Sequence, residues 1–227
     1  MSTKNEEISD SIREAVAAHR LLPGTQLREV SLGKLYGVSR TVVRQALQSL
    51  AREGLVDLTP GKIASVAKPT PKEARDTFDL RWAIERHSLE KLSRAHSKKD
   101  LAALRAHVKQ ERAARVGNDL EEVRRLGAGF HVLIARLAGN DLLAQTLDQL
   151  VGRIALILLL YQHEYDKHTE CLQDEHAQLI ALIESGSTEE ALALLRSHLH
   201  TVEVSLGADA PDDEEADPHL SRALRRR

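Results

Sequence analysis

Apolar positions in the first third of the chain recur with the three-to-four-residue spacing of α-helices. Ile8, Ile12 and Val16 share one face of a first helix, and a turn rich in Pro and Gly follows it. The same spacing predicts a short second helix over residues 31–36 and a third over residues 40–53. The front of the chain therefore begins with three short helices.

A different pattern follows the third helix. Residues 55–58 and 63–66 are two short apolar segments typical of strands, and Thr-Pro-Gly-Lys between them predicts a tight turn. Ser39 stands at the N-cap position of the third helix, where its side-chain oxygen can accept a hydrogen bond from a free amide. Three helices followed by a β-hairpin predict a winged helix-turn-helix, a fold that binds DNA.

From residue 71 onward the apolar spacing is helical almost throughout, with short polar or Gly-containing breaks. Six helices joined by short connections predict an antiparallel all-α bundle, so the fold class is mainly α. The predicted helices cover residues 71–95, 98–116, 120–137, 142–163, 169–184 and 188–206.

Two prolines at positions 69 and 71 indicate a linker, because proline excludes a helix that crosses it. We predict a DNA-binding domain over residues 1–68 and an effector-binding and dimerisation domain over residues 69–207. Residues 208–227 mix acidic, Pro-containing and basic pieces without apolar periodicity, which predicts a disordered tail.

Composition narrows the function classes. The net charge is −2, but residues 1–68 carry 10 Lys and Arg against 7 Asp and Glu, which favours an anionic partner for that region alone. A single cysteine excludes a disulfide framework. The longest wholly apolar run covers residues 154–160, too short to span a bilayer, and the N-terminus lacks the apolar core of a signal peptide. We therefore expect a cytoplasmic protein with no membrane partner.

The third helix carries side chains suited to reading DNA near its N-terminal end. That end of a recognition helix enters the major groove, and Arg40, Thr41 and Arg44 lie there. Arginine binds guanine through two hydrogen bonds or contacts phosphates, and threonine can do either. Lys62 at the hairpin tip can reach a neighbouring phosphate, while Gly61 lets the backbone approach closely.

Several motifs in this region and in the bundle resemble one family. GVSR at 37–40, VR at 43–44 and EGLV at 53–56 resemble the GntR family of bacterial transcription regulators. The segments GFHVLIARLAGNDLL, DEHAQLIALIESGSTEEAL and RSHL resemble the effector domain of the FadR-type subfamily, called FCD. The resemblance implies a homodimer on a palindromic DNA operator. It also implies DNA contacts from the recognition helix and the wing tip, and we expect them from Arg28, Ser39, Arg40, Thr41, Arg44, Gly61 and Lys62.

The resemblance further implies a metal site in the bundle. Many members hold a divalent ion with an Asp-x3-His pair and two later histidines, and His131, His176 and His198 match the three histidines. Gly127 stands where the family has the aspartate, so one anionic ligand is missing. Three imidazoles can still bind zinc or nickel if water or an effector carboxylate completes the coordination.

An arginine in the bundle can clamp a carboxylate, because its planar guanidinium binds both oxygens. Arg81, which matches a recurring arginine of the family, and Arg153, within an otherwise apolar helix, are the effector-binding candidates beside the three histidines. We predict a transcription regulator, not an enzyme: a repressor released by a small organic carboxylate. A metal-responsive repressor is the alternative, and a three-histidine metalloenzyme is the remote one, because Glu175 points about 100° away from His176 and no other general base stands near.

Overall fold

A computed structural model describes residues 3–161 and 165–204 of the chain. Within these residues the protein forms nine helices and one two-stranded antiparallel sheet, which confirms the mainly α fold class. The elements are α1 (Lys4–Ala17), α2 (Glu29–Tyr36), α3 (Arg40–Arg52), β1 (Val56–Asp57), β2 (Ser65–Val66), α4 (Pro71–Arg94), α5 (Lys98–Val116), α6 (Leu120–Leu137), α7 (Asp141–Tyr161), α8 (Tyr165–Ser185) and α9 (Thr188–Val204).

The N-terminal elements form the predicted winged helix-turn-helix. Helices α2 and α3 are joined by a tight turn at Gly37, whose φ of 65° lies in the left-handed region that glycine adopts without strain. Ser39 is the N-cap residue of α3, but its side chain makes no capping hydrogen bond, so that detail of the prediction is wrong. The strands pair Val56 with Val66 and are shorter than the apolar segments suggested.

The bundle helices begin and end close to their predicted bounds. A capping box at Thr70 and Glu73 and a proline in the first turn begin α4, which explains why the helix starts directly after the linker prolines. The largest difference is α8, which begins at Tyr165 and not at residue 169. The predicted end of α7 at 163, the end of α9 at 206 and the tail over 208–227 lie outside the described residues.

Helix α7 joins the two parts of the molecule. Leu156 is fully buried and belongs to the same core as Val43, Leu47 and Leu50 of the DNA-reading helix. Gly152 lets Leu55 approach, because a Cβ atom there would lie 3.0 Å from a Leu55 methyl group. By length and composition α7 could cross a membrane, but it packs against α1, α4 and α6.

We expect Leu156→Ala to destabilise the protein by about 2–5 kcal/mol, because it leaves a cavity in a fully packed core. Thermal unfolding of the purified variant measures the loss. Leu142→Ala on the same helix is the control, since Leu142 is 71% exposed and its truncation should change little. Equal melting temperatures for the two variants would contradict a shared core between α7 and the N-terminal helices.

Candidate functional site

The exposed face of α3 carries the predicted DNA-reading residues. Arg40 and Thr41 lie in its first turn and are exposed to solvent. Arg44 is also exposed, but its guanidinium makes two hydrogen bonds to the Glu29 carboxylate, at 2.8 and 2.9 Å. This pairing holds the pKa of Glu29 below its usual value. The pair with Glu29 uses two of the five guanidinium donors of Arg44, so the other three remain free to contact a phosphate or a base.

The hairpin tip lies among exposed residues as predicted. Gly61 has a φ of 78°, a left-handed conformation that the turn requires and that few other residues adopt. Lys62 follows it and is exposed. Arg28, the N-cap residue of α2, is exposed and hydrogen-bonded to the side chain of Gln26 at 2.9 Å. Arg28 and Lys62 are therefore accessible to phosphates.

The three predicted histidines meet inside the bundle. His131 comes from α6, His176 from α8 and His198 from α9, and all three are buried. One ring nitrogen from each lies within 4.8 Å of the others, and the Nε2 atoms of His131 and His198 are 3.2 Å apart. Nitrogen ligands 2.0–2.1 Å from a tetrahedral zinc are about 3.3 Å apart. The pair His131 and His198 therefore has nearly the spacing of two zinc ligands, and His176 lies close enough to be the third after a small shift.

Nδ1 of each histidine ring lies close to a carboxylate on another helix. Nδ1 of His131 lies 2.7 Å from Glu85, Nδ1 of His176 lies 2.9 Å from Glu111, and Nδ1 of His198 lies 2.6 Å from Glu175. An ionised carboxylate only accepts hydrogen bonds, so Nδ1 of His176 and Nδ1 of His198 carry the proton, and Nε2 of each of these two rings is left with its lone pair. Metal-binding histidines have this same carboxylate support.

Burial and the contacts between histidines and carboxylates determine the charges of the cluster. Burial lowers the pKa of His131 to about 3 and also lowers that of His198, so both imidazoles are neutral at pH 7. Burial alone would raise the pKa of Glu85, but Arg81 and His131 outweigh it and hold that pKa at about 2. Neutral imidazoles backed by ionised carboxylates are the protonation states that metal binding requires.

The residues present fit a divalent ion even without the family's aspartate. Nε2 of His176 is buried and has no hydrogen-bond partner among the described atoms, as expected for a nitrogen that binds a metal ion. A Cβ atom added at Gly127 would lie 3.9 Å from the Glu111 carboxylate. A side chain at 127 would therefore point toward Glu111, which already supplies negative charge on that side of the cluster.

The two candidate arginines lie in different places. Arg81 is buried beside the histidines, where its Nε donates a hydrogen bond to Glu85 at 2.5 Å. Arg153 lies outside the cavity, at the junction with the DNA-binding part. There it donates hydrogen bonds to Thr77 at 3.1 Å and to Glu73 at 3.0 Å. The expectation that Arg153 binds the effector therefore lacks structural support, because an apolar helix pattern does not reveal which face an arginine occupies.

A cavity of about 290 Å³ opens beside the histidine cluster. Apolar side chains from α6 and α7 line it, together with four arginines and the carboxylates of Glu85, Glu111 and Asp148. Ligand pockets of this kind are mostly apolar with a few converging polar groups. The arginines are Arg81, Arg115, Arg124 and Arg125. The arrangement suits a small anion that can also reach a metal at the histidines.

Comparison with known proteins agrees with this architecture. The chain matches the model of bacterial regulatory proteins of the gntR family over residues 4–66 and the model of the FCD domain over residues 76–201. It is 30% identical over 200 residues to an HTH-type transcriptional regulator in an unstable DNA locus of Streptomyces ambofaciens, covering 88% of this chain and 84% of the relative.

Two further relatives come from Escherichia coli. The transcriptional repressor RspR of strain K12 is 22% identical over 202 residues, covering 89% of this chain and 88% of RspR. The structure of E. coli McbR/YncC superposes with a TM-score of 0.79 at 19% identity, covering 91% of this chain and 98% of that one. The similarity to McbR/YncC supports the fold described above.

A winged helix-turn-helix joined to a helical bundle with a cavity, together with these matches, defines a transcription regulator with an effector domain. This chain belongs to the GntR family of transcription regulators and carries an FCD effector domain. The family and the relatives are regulators and not enzymes, so the three-histidine metalloenzyme alternative is wrong.

Proposed function

We propose that this protein is a homodimeric repressor that acts in the cytoplasm and leaves its operator when a small organic carboxylate enters the histidine cavity. The observation that carries the proposal is the position of this cavity. It contains the histidines of the bundle, and it also borders Ala17 and His19 at the end of α1. Occupancy can therefore change how the DNA-binding part sits on the bundle. The relative RspR is named a transcriptional repressor, which is the direction of regulation that we propose for this protein.

The DNA-binding surface consists of the exposed face of α3, the start of α2 and the hairpin tip. Two-fold symmetry of a homodimer matches a palindromic operator with one half-site for each protomer. Arg40, Thr41 and Arg44 supply base and phosphate contacts. The remaining proposed residues position the domain on the DNA backbone. The full proposed set is Arg28, Ser39, Arg40, Thr41, Arg44, Gly61 and Lys62.

His131, His176 and His198 are the proposed ligands of a divalent ion, zinc or nickel. Such an ion supplies an open Lewis-acidic position that an effector carboxylate can occupy. Arg81 lies beside these histidines and adds positive charge for the same carboxylate, although one of its donors is already bound to Glu85. A metal-responsive repressor is the second candidate, favoured by the carboxylate near Nδ1 of each histidine, because such carboxylates orient metal-binding histidines and raise their basicity.

Selection of DNA fragments by the full-length protein, followed by release assays, tests the proposal. We expect the enriched fragments to share an inverted repeat. We also expect organic carboxylates to lower the affinity of the complex under conditions where Zn²⁺ alone does not. Release by Zn²⁺ alone would favour the metal-responsive candidate. Failure to enrich any sequence would contradict the proposed function itself.

A further inference from the structure

The wall of the effector cavity extends into the DNA-binding part of the chain. Ala17 and His19 line it together with Arg124 of α6. His19 has a φ of 60°, so the chain leaves α1 through a left-handed residue directly at the cavity. The Ala18 carbonyl between them accepts a hydrogen bond from Arg124 Nη2 at 3.4 Å. Arg124 is thus a direct link between the cavity and the end of α1.

Arg124 differs from the arginines around it. Arg115 lies 3.3 Å from the Glu111 carboxylate, and Arg125 lies 2.5 Å from Glu122. For Arg124, no ion pair with a carboxylate occurs among the described residues, and its Nε is buried without a hydrogen-bond partner. A guanidinium offers five donors, so most of its hydrogen-bonding capacity at this position is open.

The surroundings of Arg124 favour an anion. Burial and, to a smaller extent, the charge of Arg124 together lower the pKa of His19 to about 4, so His19 is neutral at pH 7. Arg124 is partly buried and its Nε lacks a hydrogen-bond partner, so an acidic group of a ligand would supply both an acceptor and an opposite charge. His19 lies at the same end of the cavity and can add a hydrogen bond to it.

We propose that Arg124, assisted by His19, is a second anion-binding subsite of the cavity, so that the effector carries two acidic groups. One group faces Arg81 and the histidines, and the other binds Arg124. This inference rests on the proposed carboxylate effector and narrows its class to short dicarboxylates. The volume of about 290 Å³ agrees, because it holds roughly ten water molecules.

Binding at this subsite would also loosen the contact with α1. The contact with the Ala18 carbonyl is long, at 3.4 Å, and a hydrogen bond to a carboxylate is about twice as strong as one to a neutral carbonyl, so we expect the guanidinium to move toward the ligand and away from Ala18. Helix α1 packs directly on the DNA-reading helix α3 through Ile8, Ile12 and Val16. A dicarboxylate is therefore expected to act on the DNA-binding part, whereas a monocarboxylate bound at the histidines leaves the Arg124 contact in place.

Calorimetric titration of the full-length protein with one equivalent of Zn²⁺ tests the subsite. The probes are succinate, glutarate and adipate, each compared with the monocarboxylate of the same chain length. We expect one dicarboxylate to bind about 10- to 100-fold more tightly than its monocarboxylate. Arg124→Gln should remove this preference while changing the monocarboxylate affinity less than about twofold. Arg124→Lys keeps the positive charge but lacks the planar guanidinium, so this variant should retain part of the preference for the dicarboxylate.

Arg136→Gln is the matched control, because Arg136 is an exposed arginine in the last turn of α6, away from the cavity. Hydrogen exchange of residues 15–24 gives an independent readout, with faster exchange expected on binding of the dicarboxylate only. If the Arg124→Gln variant still prefers the dicarboxylate to the monocarboxylate, the proposed subsite is wrong. A wild-type protein that binds neither class, or both equally, would overturn the dicarboxylate assignment. Operator binding by the same preparations shows separately whether the DNA-binding function stands.

Discussion

Operator affinity is expected to fall by at least about 100-fold when Arg40 and Arg44 are both replaced by alanine, because each arginine can contribute a bidentate base contact. Both side chains are exposed, and the pair between Arg44 and Glu29 lies at the surface, so the fold should remain intact. Gel-shift titration on the selected operator measures the loss, and circular dichroism checks the helices.

A control with the same change in net charge separates base reading from general electrostatics. Arg52 lies in the last turn of α3 and Arg136 in the bundle, and both are exposed. The double variant Arg52→Ala with Arg136→Ala should bind the operator within a few-fold of the wild type. Unchanged operator affinity in the Arg40 and Arg44 variant would show that α3 does not read the DNA. An equal loss on unrelated DNA would show that these arginines contact phosphates only.

The sequence predicts the DNA-binding part well because its signals are local. Helix spacing, the turn at Gly37 and the Thr-Pro-Gly-Lys turn each depend on a few neighbouring residues. The pairing of Arg44 with Glu29 was not predicted, because the two residues lie on different helices and are 15 positions apart. Helical periodicity places a side chain on a face, but it does not identify which residue of another helix meets that face.

The same limit explains what was missed at the histidine cluster. Glu175 does point away from the neighbouring His176, but that direction brings it to His198 on α9. Glu111 reaches His176 from a helix 65 positions earlier in the chain. The histidines themselves were predicted through the family resemblance, whereas their carboxylate partners depend on how α4, α5 and α8 pack. Glutamates facing the interior at Glu85 and Glu111 were the available signal, because a buried carboxylate needs a partner.

Replacing His176 by alanine is expected to lower zinc affinity by more than about 100-fold, because it removes one of three protein ligands. His176 is informative because its Nε2 is buried and has no hydrogen-bond partner among the described atoms, whereas the Nε2 atoms of His131 and His198 contact each other. Metal content measured by native mass spectrometry should fall from one ion per protomer to none at equal added zinc. Stacking of Phe130 on the ring, at 4.1 Å between centroids, means that unfolding must be checked by thermal melting.

A graded series distinguishes loss of a ligand from a general disturbance of the bundle. Glu111→Gln keeps the shape of the side chain behind His176 but removes its charge, so we expect a smaller loss of about 10- to 100-fold. His87→Ala changes an exposed histidine on α4 and should leave zinc binding unchanged. Equal zinc content in the wild type, His176→Ala and Glu111→Gln would place the ion elsewhere. A wild type that takes up no zinc would contradict the proposed metal site and would leave the three histidines to contact the effector directly, and zinc dependence of operator release would then be absent as well.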